Sequence, residues 1–357
     1  MTINTGKWLE LMSEFKTLRV RKVEKESEDA ITVYLKQPLF GKIAYDAGQF
    51  LTFKLQLDGK QVYRSYSLCS APSFDKLLSV TIKRVKGGYI SNYLNDYLRE
   101  GDAVQVSLSR SQFRYIPKQY NTERLILLAA GSGITPVLSI LKTALYSDSS
   151  VKIDLLYGNR NESSILHKKA LQALADRFHD RLSITHVLSN PNDAGQAGRL
   201  DEYNIKKILN NMPHISANTQ YYVCGPQGMM QSAISVLNNM GINEDKVHVE
   251  SFSGLLNIGS EETTEFGEHD IHLKLRGQEH KINVANGQSL LDAALSSGIE
   301  VPYSCRSGFC SACQCQLVGG QTHLLDNNCL TEKEKQQGKV LLCVGYAKSS
   351  DVQIEVN

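Results

Sequence analysis

Residues 124–146, RLILLAAGSGITPVLSILKTALY, read as a strand, a glycine-rich turn and a helix. RLILLAA is a short continuous apolar run of the kind found in strands buried on both faces. Gly131 and Gly133 allow a tight turn with a close backbone approach. Pro136 falls in the first helical turn, where its missing N–H has no partner to lose. It stands where the usual dinucleotide fingerprint has a third glycine, and a plain strand–helix turn would share the first two. The same rhythm continues downstream. Strands VKIDLLYG, LSITHVLS, TQYYVCG and KVHVESF alternate with helices SILHKKALQALADRF, DEYNIKKILNN and QGMMQSAISVLNNMG. This alternation over residues 121–252 predicts a doubly wound parallel sheet, an α/β domain. Cys224-Gly225-Pro226 ends one of its strands at the carboxyl edge, where such sheets bind ligands.

Toward the N-terminus the pattern changes. After a short extension, residues 1–14, read as one helix, come FKTLRVRKV, AITVYLKQ, FLTFKLQL, YRSYSLCS, LLSVTIKRV and AVQVSLSR. Turn residues separate them, and six such stretches predict an antiparallel β-barrel within residues 1–120. One helix, about Ile90–Leu98, interrupts the series. On YRSYSLCS, Arg64 and Tyr66 share one face and Ser65 and Ser67 the other. Gly87-Gly88-Tyr89-Ile90-Ser91 runs directly into the helix, where free N–H groups and the helix dipole favour an anion. Alone, each signal is also compatible with an ordinary strand and an ordinary glycine hairpin.

Beyond residue 252, SGLLNIGSEETTEFGE (253–268) has no periodicity and reads as a linker. A unit of 269–357 follows, with a hairpin, the helix SLLDAALSSG, a cysteine-rich loop and a final strand DVQIEV. Six of the eight cysteines lie in the last 53 residues. Cys305-x4-Cys310-x2-Cys313, then 29 residues, then Cys343, is the plant-type [2Fe–2S] spacing. Zinc favours paired CxxC units, and only Cys310 and Cys313 have that form. A disulfide framework does not suit a reducing compartment. Gly308 lets the backbone approach a cluster and point N–H groups at its sulfides. Cys69, Cys315 and Cys329 carry no assigned role.

The chain has 357 residues, enough for two or three domains, with 39 basic and 37 acidic residues. The balanced charge and the 41% hydrophobic content exclude a disordered chain and a binder of nucleic acid by bulk basicity. No apolar run reaches the length of a membrane helix, and the N-terminus lacks a signal-peptide core, so a cytoplasmic protein is expected. The charge is uneven: residues 1–120 carry net +7, residues 121–252 net 0 and residues 253–357 net −5. An acidic C-terminal unit beside a basic barrel suggests electrostatic docking, internally or with an external partner.

Arg64-Ser65-Tyr66-Ser67 with GGYIS, GSGITP and Cys224-Gly225-Pro226 resemble the ferredoxin–NADP reductase family, and SCRSGFCSAC resembles the plant-type ferredoxin module. The resemblance covers nearly all of residues 15–357, and the module order resembles the reductase components of bacterial multicomponent oxygenases and epoxidases. It implies a flavin-binding barrel, a nicotinamide domain and a β-grasp ferredoxin domain. Arg64 would hold the flavin pyrophosphate, Tyr66 would stack on the isoalloxazine and Ser67 would hydrogen-bond near its reactive nitrogen. Gly88, Ile90 and Ser91 would bind phosphate. FAD is preferred over FMN, although the SRSQF segment at the barrel end departs from the family form. Gly131, Gly133, Thr135 and Pro136 would bind the nicotinamide cofactor. Gly225 and Pro226 would shape its pocket, Cys224 would lie near the nicotinamide, Glu250 near the hydride path, and Phe252 would cover the flavin. Cys305, Cys310, Cys313 and Cys343 would hold the cluster.

Tyr157-Gly158-Asn159-Arg160 offers no acid for a ribose 2′-hydroxyl, while Arg160 suits a 2′-phosphate, so NADPH is favoured and NADH remains open. The implied activity is an NAD(P)H-dependent oxidoreductase in which FAD splits the hydride pair and the cluster passes electrons singly to an oxygenase or other redox partner. Other metalloprotein, ferredoxin, flavodoxin or small-molecule acceptors, and a redox-sensing binding module, stay as alternatives.

Overall fold

The computed structural model describes residues 15–72, 74–109, 111, 113–119, 121–190, 196–212, 215–252, 266–306, 308, 311–325 and 330–356. The helix expected within 1–14, the linker residues 253–265, Cys310 and Cys329 lie outside the described residues. The chain divides into two compact units. One comprises Met1–Leu51, Tyr66–Leu108 and Gln112–Ser251; the other comprises Thr52–Ser65, Ser109–Ser111 and Phe252–Asn357.

The N-terminal sheet is built from β1 (Lys16–Ser27), β2 (Ala30–Lys36), β3 (Phe50–Leu57), β4 (Lys60–Ser67), β5 (Leu77–Lys83) and β6 (Ala103–Ser109), in the order β4-β3-β6-β1-β2-β5. β1 runs antiparallel to β2 and β6, and β2 antiparallel to β5. An antiparallel bridge from Leu68, just past β4, to Val80 of β5 links the two edge strands. Closure of this kind removes exposed edges and gives the barrel. Helix α1 (Tyr89–Tyr97) lies between β5 and β6 and starts at Gly88 without a side-chain cap.

The second sheet has the order β10-β9-β8-β7-β11-β12, with every neighbouring pair parallel. Its strands are β7 (Arg124–Ala130), β8 (Lys152–Asn159), β9 (Leu182–Leu188), β10 (Gln196–Ala197), β11 (Thr219–Cys224) and β12 (Val247–Glu250). Helices α2 (Ile134–Ser147), α3 (Lys168–Arg177), α4 (Glu202–Asn210) and α5 (Gln227–Asn239) connect them. β7 and β11 are apolar and almost wholly buried, as strands covered on both faces must be. One helix differs from expectation. SILHKKALQALADRF reads as helical from Ser164, but α3 begins at Lys168 because His167 takes a left-handed backbone (φ 57°). Its side chain does not cap α3 and turns instead toward Glu26.

In the C-terminal part, β13 (His269–Leu275), β14 (Gln278–Val284), β15 (Gln314–Gly319), β17 (Lys339–Leu341) and β19 (Gln353–Val356) form a mixed sheet ordered β14-β13-β19-β15-β17. β16 (Thr322–Leu324) pairs with β18 (Gly345–Ala347). Helix α6 (Leu290–Ser296) is capped by Ser289, whose hydroxyl accepts from Asp292 N–H, and the short α7 (Glu332–Gln336) opens on a Thr331/Glu334 capping box. Ile271, Leu273, Leu290, Leu341 and Ile354 are in the core of this unit, where Cys313 and Cys343 are also buried. No helix among the described residues is long and apolar enough to cross a membrane.

Candidate functional site

The two nicotinamide motifs meet at the carboxyl edge of the parallel sheet. A Cβ on Gly133 would stand 2.0 Å from the Cys224 carbonyl oxygen, and one on Gly225 would stand 3.1 Å from Ala130 N. Only glycine lets the GSG turn and the Cys224-Gly225-Pro226 segment touch. Gly131 adopts a left-handed φ of 54°, Tyr157 Oη donates to its carbonyl at 3.1 Å, and Thr135 Oγ1 donates to Ser132 O at 3.0 Å. Pro136 is buried in the first turn of α2. On the neighbouring β9, His186 Nδ1 is buried without a hydrogen-bond partner among the described residues. The glycine cradle fits a dinucleotide.

The expected hydride-site residues come together. Ser67 Oγ donates to Glu250 Oε2 at 3.2 Å, and both residues are buried. Glu250 is the register partner of Cys224 across β11 and β12. Burial first, and then the charge of Glu250, pushes the Cys224 thiol well above its ordinary pKa, so it stays protonated. Phe252 follows and is half exposed.

On β4, Tyr66 is half-buried, and Arg64 lies 5.6 Å over the Tyr303 ring with Nη1 donating to Tyr63 O. A cavity of about 580 Å³ opens beside Arg64. Ahead of α1, a Cβ on Gly88 would stand 2.8 Å from the Val85 side chain. The Gly88 N–H already donates to Val85 O, and Ser91 Oγ accepts from Val85 N–H, so these groups shape the turn. The first N–H groups of a helix have no intrahelical partner, which suits the start of α1 to an anion.

Arg160 is exposed at the end of β8. Beside it is a residue that the sequence pattern did not single out. Lys83, at the end of β5, is half-buried, and its Nζ lies 3.9 Å from where a Gly131 Cβ would be. Burial and then the charge of Arg160 hold the Lys83 ammonium below its usual pKa. Lys83 thus stands by the Gly131 turn, within reach of the Arg160 charge. TIKRVKGG was the available signal, but nothing in it separates Lys83 from its basic neighbours.

In the second unit, Cys305, Cys313 and Cys343 converge. Hydrogen bonds to Cys305 and Cys313, followed by burial, drive the Cys343 thiol far above its ordinary pKa. Three thiolates this close would repel one another, and a cation shared among them would offset that repulsion. Three left-handed residues, Arg306, Gly308 and Ser311, bend the loop, and Leu342 N–H donates to Cys313 O, tying it to the strand segment that carries Cys343. Cys315 points elsewhere, toward the Val340 carbonyl. Ser304, next to Cys305, hydrogen-bonds Ser65 of β4 at 2.7 Å.

Three family models match in series: an oxidoreductase FAD-binding domain over residues 17–115, an oxidoreductase NAD-binding domain over 127–234 and a 2Fe-2S iron-sulfur cluster binding domain over 273–348. The chain is 30% identical over 350 residues to one component of the 1,2-phenylacetyl-CoA epoxidase of Escherichia coli K12, covering 96% of this chain and 98% of that one. It is 32% identical to the ferredoxin reductase component of the 3-ketosteroid-9-alpha-monooxygenase of Mycolicibacterium smegmatis, covering 94% and 96%.

The chain belongs to the ferredoxin–NADP reductase family, in the branch with a C-terminal plant-type [2Fe–2S] domain.

Among solved structures, phthalate dioxygenase reductase superposes with a TM-score of 0.59 at 26% identity over 96% of this chain and 98% of that one. That protein is a modular structure for electron transfer from pyridine nucleotides to [2Fe–2S]. This family member is thus an NAD(P)H-dependent oxidoreductase with FAD, NAD and [2Fe–2S] domains. When bound, FAD supplies the step between two-electron and one-electron chemistry, and the cluster carries single electrons.

Proposed function

We propose that the chain is the reductase component of an oxygenase or epoxidase system, passing electrons singly to an oxygenase partner. The observation that carries this reading is the end-to-end likeness, over 94–96% of the chain, to an epoxidase component and to a monooxygenase reductase component. A phenylacetyl-CoA-type epoxidase is the preferred partner class. A cytoplasmic location suits thiol ligands and a nicotinamide supply.

In this reading Arg64 and the first-turn N–H groups of α1, with Gly88, Ile90 and Ser91, hold the FAD phosphates. Tyr66 and Phe252 flank the flavin. Ser67 and Glu250 form the polar wall of the hydride site, and Cys224, a neutral thiol, fills its floor without taking a proton. Gly131, Gly133, Thr135, Pro136, Gly225 and Pro226 seat the nicotinamide cofactor. Arg160, joined by Lys83, binds the 2′-phosphate and makes NADPH the preferred donor. Cys305, Cys310, Cys313 and Cys343 ligate the cluster.

The test is reconstitution of the holoprotein with NADPH, oxygen, phenylacetyl-CoA and the purified oxygenase component of a phenylacetyl-CoA epoxidase. Product formed in step with NADPH consumption is expected. NADPH oxidation that yields peroxide with no product, at every ratio of the two proteins, would contradict the partner assignment.

A further inference from the structure

The first unit holds a second buried polar cluster that the hydride site does not use. Its members come from both the barrel and the nicotinamide sheet. His167, only 6% exposed, precedes α3. Its Nδ1 lies 3.3 Å from Glu26 Oε1, and its backbone N–H donates to Glu26 Oε2 at 3.0 Å. Its Nε2 lies 2.8 Å from Thr81 Oγ1. Thr81 Oγ1 is in turn 2.8 Å from Thr32 Oγ1 and 3.6 Å from Cys69 Sγ. Thr32 Oγ1 donates to Glu26 Oε1 at 2.7 Å, and Cys69 Sγ lies 3.1 Å from Ser79 Oγ.

Buried ionisable groups cost several kcal/mol each unless every polar atom is matched, so such clusters are rarely incidental. Both ring nitrogens of His167 and both carboxylate oxygens of Glu26 are matched here. The left-handed backbone of His167 is a further cost that the surroundings must impose. The cluster also grips the segment that carries Ser67. Cys69 is two residues further along the same extended stretch, and next to it Ser139 of α2 donates to Ser70 O at 2.6 Å.

We propose that His167 is a positioning residue: gripped by Glu26, Thr81 and Cys69, it latches the nicotinamide sheet to the barrel and so sets how the nicotinamide edge meets Ser67. The inference rests on the hydride-site roles proposed above. It assigns His167 no contact with substrate.

The groups facing the cluster are Glu24 and Glu26 of β1, Tyr34 of β2, Tyr45 ahead of β3, Cys69, Lys142 of α2 and Tyr157 of β8. Burial opposes charge on His167, but Cys69 and Glu26 outweigh it and raise its pKa, with Lys142 pulling the other way. Burial likewise opposes charge on Cys69, but His167, Ser79 and Thr81 lower its pKa. A raised imidazole contributes stability at low pH and loses it as pH rises through the raised value. A lowered thiol contributes at high pH and loses it as pH falls through the lowered value. The His167 contribution is therefore lost on the alkaline side and the Cys69 contribution on the acid side.

The experiment compares holoprotein with His167→Phe, which keeps a ring but neither nitrogen, and with Cys69→Ser, the gentler change. Expected for His167→Phe is a fall of about ten-fold in kcat for NADPH-driven ferricyanide reduction, with KM for NADPH retained. The stability lost in His167→Phe should shrink as pH rises through the raised imidazole value. If His167→Phe does not fold, Cys69→Ser carries the test, and the stability it loses should shrink as pH falls through the lowered thiol value. A folded His167→Phe with wild-type kcat and a pH-independent loss of stability would overturn the latch, as would an unchanged profile in Cys69→Ser. Failure of the wild type to reduce ferricyanide would strike the proposed function instead, since the unfolding profile reads the latch without turnover.

Discussion

Gly133 and Gly308 both sit in turns that open a chemical site, but the two turns keep their shape by different means. At Gly133 the backbone is the mould. Its φ of −61° is open to any residue, yet a Cβ would meet the Cys224 carbonyl at 2.0 Å, so glycine is required by space. At Gly308 the φ is 77°, flanked by left-handed Arg306 and Ser311, so this loop is bent by conformation and its purpose lies in the sulfur atoms it gathers. In the proposed reading the nicotinamide edge is thus ready-made by packing, whereas the cysteine loop is completed by what its thiolates bind. Lesions in the first region should be graded and those in the second all-or-none.

The largest effect should come from the cysteine loop. Cys343→Ser is expected to abolish the [2Fe–2S] absorption bands while leaving the flavin spectrum and NADPH-driven ferricyanide reduction intact. Gly133→Ala should come next. The Cβ meets backbone that cannot yield, so about 1–3 kcal/mol of stability and roughly a hundred-fold in the rate of flavin reduction by NADPH should be lost, read by calorimetry and stopped-flow absorbance. A near-wild-type rate there would show that packing does not set the edge.

Ser67→Ala leaves a buried carboxylate oxygen of Glu250 without its hydroxyl donor. A cost of about 1–3 kcal/mol corresponds to a slowing of roughly five- to 150-fold in flavin reduction, with the cluster bands unchanged. The smallest effect should be one of selectivity. Arg160→Ala and Lys83→Ala should each raise KM for NADPH by roughly ten-fold and leave KM for NADH alone, since each removes one charge-assisted contact to a phosphate. Equal effects on both donors would place the two cations on the shared pyrophosphate.

The same contrast governs what could be read from the chain alone. The parallel sheet was legible because apolar runs such as RLILLAA and TQYYVC alternate with amphipathic helices, and β7 and β11 are where those runs lie. The cysteine loop was legible because its spacing is local. The start of α3 was misplaced by four residues because nothing in SILHKK announces that His167 leaves the helix for Glu26, 141 residues away. Short β16, β17 and β18 have too few residues for periodicity. Lys83 and the Cys69–His167–Glu26 cluster depend on partners far apart in sequence, which no motif records. Cys69, without a role in the sequence pattern, lies in that cluster.

The most direct measurement is low-temperature electron paramagnetic resonance of the holoprotein after anaerobic addition of NADPH, alongside Cys343→Ser. The account predicts a reduced [2Fe–2S] signal in the wild type and none in the variant, with the flavin absorbance bleaching at the same rate in both. A wild-type protein whose flavin bleaches while its cluster stays oxidised, or a Cys343→Ser variant that still shows the signal, would contradict it.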